Sequence, residues 1–328
     1  MKNVILEYIG HSGIFYAVYS LFYERLGYNV FVLDFDDEQW CSFFNLQKSN
    51  LSVHDQTLNG FKEDCNTGEN IKRLKYNEFL SLDIDYIVTT NQEREQGYYN
   101  LLKLKPNAKF IRQLGNNGEK PKFAKNVLLT KFKTEWSDNP EFNTIRYIGE
   151  HPSYFKPDFD IPKKDIVGCY NYVIGSGFQP AVDNLNRLNK SLQGKYRINL
   201  FGGEKFLKRW ELPEILNKHK FFFHMKPFDD GYMLREALSC GLIGILNSAW
   251  WHWLPYTTNL QLYYCKDKVN FIDVNPEVRS WDEAMELILE YGDDSNYLKK
   301  SKEAYEYTKS KLDWENQIPD IKEWLNNL

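Results

Sequence analysis

The chain has 328 residues, room for two domains of ordinary size, and its 42% hydrophobic and 26% charged residues place it among globular proteins with packed cores. A formal net charge of −4, with lysines and arginines scattered along the chain, argues against a protein that grips nucleic acid mainly by charge. Five cysteines, an odd number with no CxxC pair, argue against a disulfide scaffold or zinc site and fit a reducing compartment, and no window approaches the ~20 apolar residues of a membrane span.

The chain opens as strand, turn, helix and strand. VILEYI (4–9) is a β-branched run and GHSG (10–13) a turn. IFYAVYSLFYERLG (14–27) carries apolar residues at helical spacing up to a capping Gly27, and NVFVLDF (29–35) is the next strand. A helix joining two short strands within about 30 residues predicts a βαβ unit and a parallel sheet. Residues 36–80 are polar with scattered aromatics and read as helices and loops. Strands return at 83–90, 108–115, 126–130 and 144–149. The segment 150–165 holds three of the twelve prolines and reads as an inter-domain linker.

A second alternating series follows. Strands are expected at 166–174, 196–203, 220–225, 242–246 and 270–274, and helices at 178–193, near 204–218 and at 231–240. Helices over 280–292 and 295–312 and a tail, 313–328, come last. Two α/β halves predict two Rossmann-like domains facing a cleft. Ligands of open α/β sheets bind beyond the carboxyl ends of the strands, so the loops after strands are where chemistry is expected. The short apolar N-terminal stretch runs straight into a strand pattern rather than a signal peptide, and the expected location is the cytoplasm.

The most informative segment is FFFHMKPFDDGYMLREALSCGLIGIL (221–246), which reads as strand, loop, helix, strand. A helix beginning at Gly231 offers free backbone N–H groups and a favourable dipole to a diphosphate. Lys226 in the preceding loop can neutralise a phosphate. Glu236 lies five residues into the helix, roughly 7–8 Å along its axis, about where a ribose would lie. A carboxylate there accepts two hydroxyl hydrogen bonds.

This segment resembles the donor-binding motif of GT-B glycosyltransferases, usually Glu-Gly-Phe-Gly, a few residues, then Glu-Ala-Met-Ala-Cys-Gly-x-Pro. REALSCGLIG (235–244) matches the second half and Gly231 the second glycine. The resemblance implies that Glu236 binds the donor ribose. The family's first glutamate falls on Phe228, with Asp229 or Asp230 as substitutes, and its proline falls on Ile243. The family's Arg and Lys after the first strand of the second domain have no counterpart in 166–180, which leaves Lys226, Arg235 or Lys205 to face the diphosphate. YIGEHPSYFKP (147–157) is similar to the family's linker, INLFGGE (198–204) to a Gly-rich turn near the base pocket, and the last helices to those that cross back to the first domain.

The implied domains are an acceptor-side domain, 1–152 with 313–328 packed on it, and a nucleotide-sugar-binding domain, 153–312. The expected catalytic residues are His11, Lys226 and Asp230. The expected donor-binding residues are Gly10, Gly13, Gly202, Gly203, His224, Gly231, Tyr232, Met233, Arg235 and Glu236. Asn116 and Asn117 of RQLGNNGE (112–119) stand where the family has an acceptor-side histidine.

The implied reaction is metal-independent transfer of a sugar from UDP- or GDP-sugar, with retention and with no tightly bound cofactor. The acceptor is a glycan or a hydroxymethylated DNA base, the latter in a host cytoplasm if the chain is of phage origin. The alternatives are a non-catalytic nucleotide-sugar-binding protein and a dinucleotide oxidoreductase, the latter disfavoured by the lack of GxGxxG after the first strand.

Plainer roles compete with these. A lone helical glutamate is usually a solvated face residue, and Asp229 or Asp230 would cap the next helix in any protein. His224 reads as a packed strand-end histidine, WWHW (250–253) as core, and the Asp-x-Asp spacings in 34–37 and 158–160 stand in no convincing metal site.

Overall fold

The computed structural model of the chain describes residues 1–7, 17–46, 71–90, 94–114, 120–130, 139–147, 155–203, 207, 211–226, 231–252, 264–312 and 314–328. The chain divides into two compact units, Met1–Gly149 with Trp314–Leu328, and Glu150–Asp313. Each carries an all-parallel sheet.

The first unit's strands are β1 (Asn3–Leu6), β2 (Asn29–Leu33), β3 (Lys72–Leu74), β4 (Tyr86–Thr89), β5 (Lys109–Leu114), β6 (Asn126–Leu129) and β7 (Asn143–Arg146), in the order β3-β2-β1-β4-β5-β6-β7. Val4 pairs with Val30 on one side and Tyr86 on the other. The central strands are buried on both faces, so they read as continuous apolar runs.

Short helices α1 (Glu38–Phe43), α2 (Tyr76–Ser81) and α3 (Glu95–Asn100) lie between strands. Asp37 caps α1 by accepting from the Gln39 amide at 3.0 Å, and it also accepts from the Tyr76 amide at 2.8 Å. Asp34 and Asp36 both pair with Arg73. The carboxylates of DFDD are thus engaged in holding β2 to β3 and starting two helices.

Several sequence expectations are corrected. The strand expected at 4–9 ends at Leu6. The expected helix over 14–27 is α-helical at 17–19 and then a π-helix, Ser20–Arg25, while 14–16 lie outside the described residues. Residues 18–22 are all buried, a run broader than one face of an α-helix, and the wider turn accommodates it. The polar stretch 36–80 hides β3, a three-residue edge strand with two charged residues and only Leu74 apolar, too short to show an alternation.

A buried polar cluster sits in this unit. Glu95, fully buried, accepts from the backbone amides of Lys122, Phe123 and Ala124 at 2.8–3.2 Å and lies 3.9 Å from Nε of fully buried Arg112.

The second unit contains β8 (Lys164–Cys169), α4 (Tyr170–Val173), α5 (Gln179–Ser191), β9 (Ile198–Phe201), α6 (Leu212–Asn217), β10 (His219–Phe223), α7 (Gly231–Ser239), β11 (Ile243–Leu246), β12 (Phe271–Asp273), α8 (Trp281–Gly292) and α9 (Asp294–Lys311). The sheet order is β12-β11-β10-β8-β9. The strand expected to run to 174 stops at Cys169. The aromatic and β-branched YNYV reads as strand but winds into α4, and only Val173 of it is buried.

A last helix, α10 (Trp314–Asn326), belongs to the first unit, the returning C-terminal helix that the resemblance implies. The Trp324 indole donates to Asn143 Oδ1 at 2.9 Å, Tyr86 donates to the Leu325 carbonyl at 3.0 Å, and Arg25 pairs with Glu315.

Lys163, just before β8, is buried and donates to Asn217 Oδ1 at 2.9 Å. Burial pulls its ammonium down to about 8, against an ordinary value of 10.5. Between those values the unfolded chain carries a proton that the folded chain does not, so stability rises with pH across that window. The expected gain is ~3 kcal/mol from pH 7.5 to 10.5. It is read as the wild-type slope in urea unfolding that Lys163→Met lacks.

Candidate functional site

In the second unit the chain passes from β8 to β9 on one side, then returns to β10 on the other side of β8. Strand order reverses between β8 and β10, and it is beyond the carboxyl ends of the strands at such a reversal that open α/β sheets bind ligands.

Cys169 ends β8 and precedes α4. Burial pushes its thiol up. The amides of Asn171 and Tyr172 and the Lys226 ammonium pull it down, and the Glu236 carboxylate pushes it up. Lys226 and Glu236, ten residues apart, thus both act electrostatically on the end of β8.

Beyond β10, His224 is buried, stacked on Phe222 at 5.8 Å and meeting the Tyr172 ring edge-on at 5.7 Å. Lys226 Nζ stands over the same tyrosine, 4.8 Å from the ring centroid. Past β9, Gly202 takes φ +77° to turn the chain, and an added Cβ at Gly203 would touch the Tyr170 ring at 3.4 Å.

Helix α7 is seated by fully buried Leu234, Ala237 and Leu238. Its end explains the Cys-Gly of the sequence. Gly241 takes φ +75° while its N–H bonds to the Leu238 carbonyl and that of Leu242 to the Ala237 carbonyl, a Schellman closure. A side chain on Gly241 would also strike Ser301 and Pro157 at 3.0 and 3.3 Å.

Glu236 is 0% exposed, so a solvated-face role is ruled out. Arg235 is 2% exposed, with its guanidinium 5.9 Å from the Tyr264 ring centroid. Three buried polar side chains, Arg235, Glu236 and Ser239, on one nine-residue helix are a costly arrangement that packing alone does not call for. Met233 is half-buried, and Gly231 and Tyr232 form the first turn of α7.

His11, Gly10, Gly13, Lys205, Phe228, Asp229, Asp230, Asn116 and Asn117 lie outside the described residues. Trp250 is buried with its ring edge-on to Phe178 at 5.0 Å, which makes it core.

No protein-family model matches the sequence, and no curated protein matches it. Solved structures do match over the whole chain. An α-glucosyltransferase in complex with UDP and a DNA 13-mer containing an HMU base aligns with 99% of both chains at TM-score 0.58 and 10% identity. The trehalose-6-phosphate synthase OtsA aligns with 100% of this chain and 99% of its own at TM-score 0.53 and 11% identity. An α,α-trehalose-phosphate synthase from Burkholderia vietnamiensis aligns with 100% of both at TM-score 0.52 and 9% identity.

This chain has the GT-B fold.

In this GT-B chain the first unit also has a switch point, between β1 and β4. Glu7, fully buried just past β1, accepts from Thr89 Oγ1 at 2.5 Å and the Thr90 amide at 2.8 Å. The sequence reading passed over Glu7 because it sits inside an apolar run. It passed over Tyr172 too, since a tyrosine in YNYV carries no charge to mark it. A cavity of about 650 Å³ lined by Lys2, Asp85, Lys105, Lys109 and Asn326 lies at the amino ends of β1, β4 and β5, the opposite end of that sheet from its own switch point. Among the described residues no helix is long and apolar enough to cross a membrane.

Proposed function

We propose that the chain is a glycosyltransferase that binds a nucleotide sugar on its second unit and transfers the sugar to a hydroxyl acceptor held by the first. The observation that carries this reading is the wholly buried Glu236 on α7, beside the strand reversal of a parallel sheet. A buried carboxylate at that place is suited to the two ribose hydroxyls, and the first turn of α7 is suited to the diphosphate. His224, Arg235, Met233, Tyr232, Gly202 and Gly203 complete the donor side in this reading, and His11, Gly10, Gly13 and Asp230 are assigned to the reaction by the sequence resemblance alone.

In the reaction the sugar C1–O bond to the diphosphate breaks and its electron pair leaves with the phosphate oxygen. The acceptor oxygen forms the new C1–O bond and loses its proton, with retention at C1. The preferred donor is a UDP-sugar, with GDP-sugar as the second candidate, and the acceptor is a glycan or a hydroxymethylated DNA base. The DNA acceptor draws on the structurally similar glucosyltransferase bound to HMU-containing DNA.

A melting-temperature panel with UDP-, GDP-, ADP- and dTDP-sugars tests the reading. Binding to the folded state at ~100 times Kd contributes ~2.7 kcal/mol, which for either unit is a shift of a few degrees or more. A shift with one donor, followed by label transfer to a glycan or to hydroxymethylated duplex DNA, supports transfer. A shift without transfer or donor hydrolysis favours a binding protein, and no shift at millimolar donor overturns both.

A further inference from the structure

We propose that Tyr172 is a positioning residue that pins the Lys226 ammonium over the carboxyl end of β8, so that the loop after β10 supplies the cation facing the donor's diphosphate. This inference rests on the donor-site reading above and deepens it.

The loop after β8 brings no cation of its own. Residues 170–178 read YNYVIGSGF, without lysine or arginine. The neighbouring strand does bring one. β10 pairs directly with β8, Phe223 opposite Gly168, so the residues that follow the two strands emerge side by side. Lys226 Nζ lies 4.8 Å from the centre of the Tyr172 ring. That ring is itself held, because His224 meets it edge-on at 5.7 Å and is stacked in turn on Phe222 at 5.8 Å. Val173, the next residue, is fully buried and anchors α4. The ammonium's pull on the Cys169 thiol agrees with a charge standing at the end of β8.

The arrangement has a physical purpose. A lysine is a point charge on a flexible stem, and holding it in one place before the ligand arrives reduces the ordering cost of binding. Arg235, the other cation of this segment, is 2% exposed beside Tyr264.

The test is calorimetric titration of UDP, GDP, ADP and dTDP, each with its nucleoside, into wild type, Tyr172→Phe, Tyr172→Leu, Lys226→Gln and the Leu/Gln double variant. For the diphosphate that binds, Tyr172→Leu is expected to weaken affinity ~5- to 30-fold, with the nucleoside unchanged within about two-fold. Tyr172→Phe, which keeps the ring, restores most of the loss. Adding Tyr172→Leu to Lys226→Gln costs nothing further.

Equal weakening of diphosphate and nucleoside, or an unchanged diphosphate affinity in Tyr172→Leu, overturns the inference and leaves the donor site standing. If Tyr172→Leu does not fold, Lys226→Gln with unchanged diphosphate affinity overturns it equally. A wild type that binds no nucleotide at millimolar concentration removes the donor-site reading and this inference together.

Discussion

Glu236→Ala is expected to lower affinity for the nucleoside-diphosphate donor by ~10²-fold or more. Each hydrogen bond from a hydroxyl to a buried carboxylate contributes about 1.5–3 kcal/mol, and the ribose offers two. The distinguishing outcome is that folding moves the other way. Glu236 is fully buried on a helix that also buries Arg235 and Ser239. Holding a charged carboxylate there costs solvation that a neutral amide of the same shape does not lose to the same extent. The isosteric Glu236→Gln is therefore expected to melt no lower than wild type without donor, while its donor-induced shift shrinks. A functional residue retained at the expense of stability behaves in this way. If Glu236→Gln melts several degrees lower and binds donor as wild type does, Glu236 is a structural residue and the donor site lies elsewhere.

Glu95→Ala is expected to destabilise the first unit by about 3–5 kcal/mol. The carboxylate gathers the amides of Lys122, Phe123 and Ala124 and lies 3.9 Å from Nε of buried Arg112, so alanine leaves three backbone donors without that acceptor and takes a carboxylate away from a buried cation. Glu95→Gln keeps an acceptor oxygen and should lose roughly half as much. Urea unfolding followed by limited proteolysis reads both, with cleavage expected first in the first unit. A loss under about 1 kcal/mol in Glu95→Ala would mean the segment 120–124 is held by its own packing, with Ala124 in the core.

The fold was legible because burial and periodicity agree along most of the chain. The apolar runs of β1, β4, β5 and β10 are buried on both faces, and α5 and α7 fill the spans expected of them, whereas the helix expected near 204–218 is described only over Leu212–Asn217. Legibility failed where local propensity and tertiary setting part. YNYV has the residues of a strand, yet the chain turns into α4 as β8 ends at Cys169. KRL offers a single apolar residue, the buried Leu74, yet it pairs with β2 because an edge strand needs only one partner.

In the site, Glu236 was legible through the residues around it, above all the Cys-Gly whose glycine closes α7. Tyr172 was not, because its part is geometric. Nothing in a tyrosine's identity announces that a lysine fifty-four residues later will stand over its face. Glu95 was hidden for the opposite reason, as a charged residue that looks solvent-facing in sequence and proves wholly enclosed.

The membership of α10 in the first unit has a consequence for how the chain is made. Everything from Glu150 to Asp313 forms one continuous unit, while the first unit is interrupted and receives Trp324, Ile321 and Leu325 only from residues after 313. On a ribosome the second unit can close as soon as it emerges, but the earlier-born half must wait with the Tyr86 and Asn143 partners of α10 uncovered. The first unit is therefore completed only by residues made after the whole of the second.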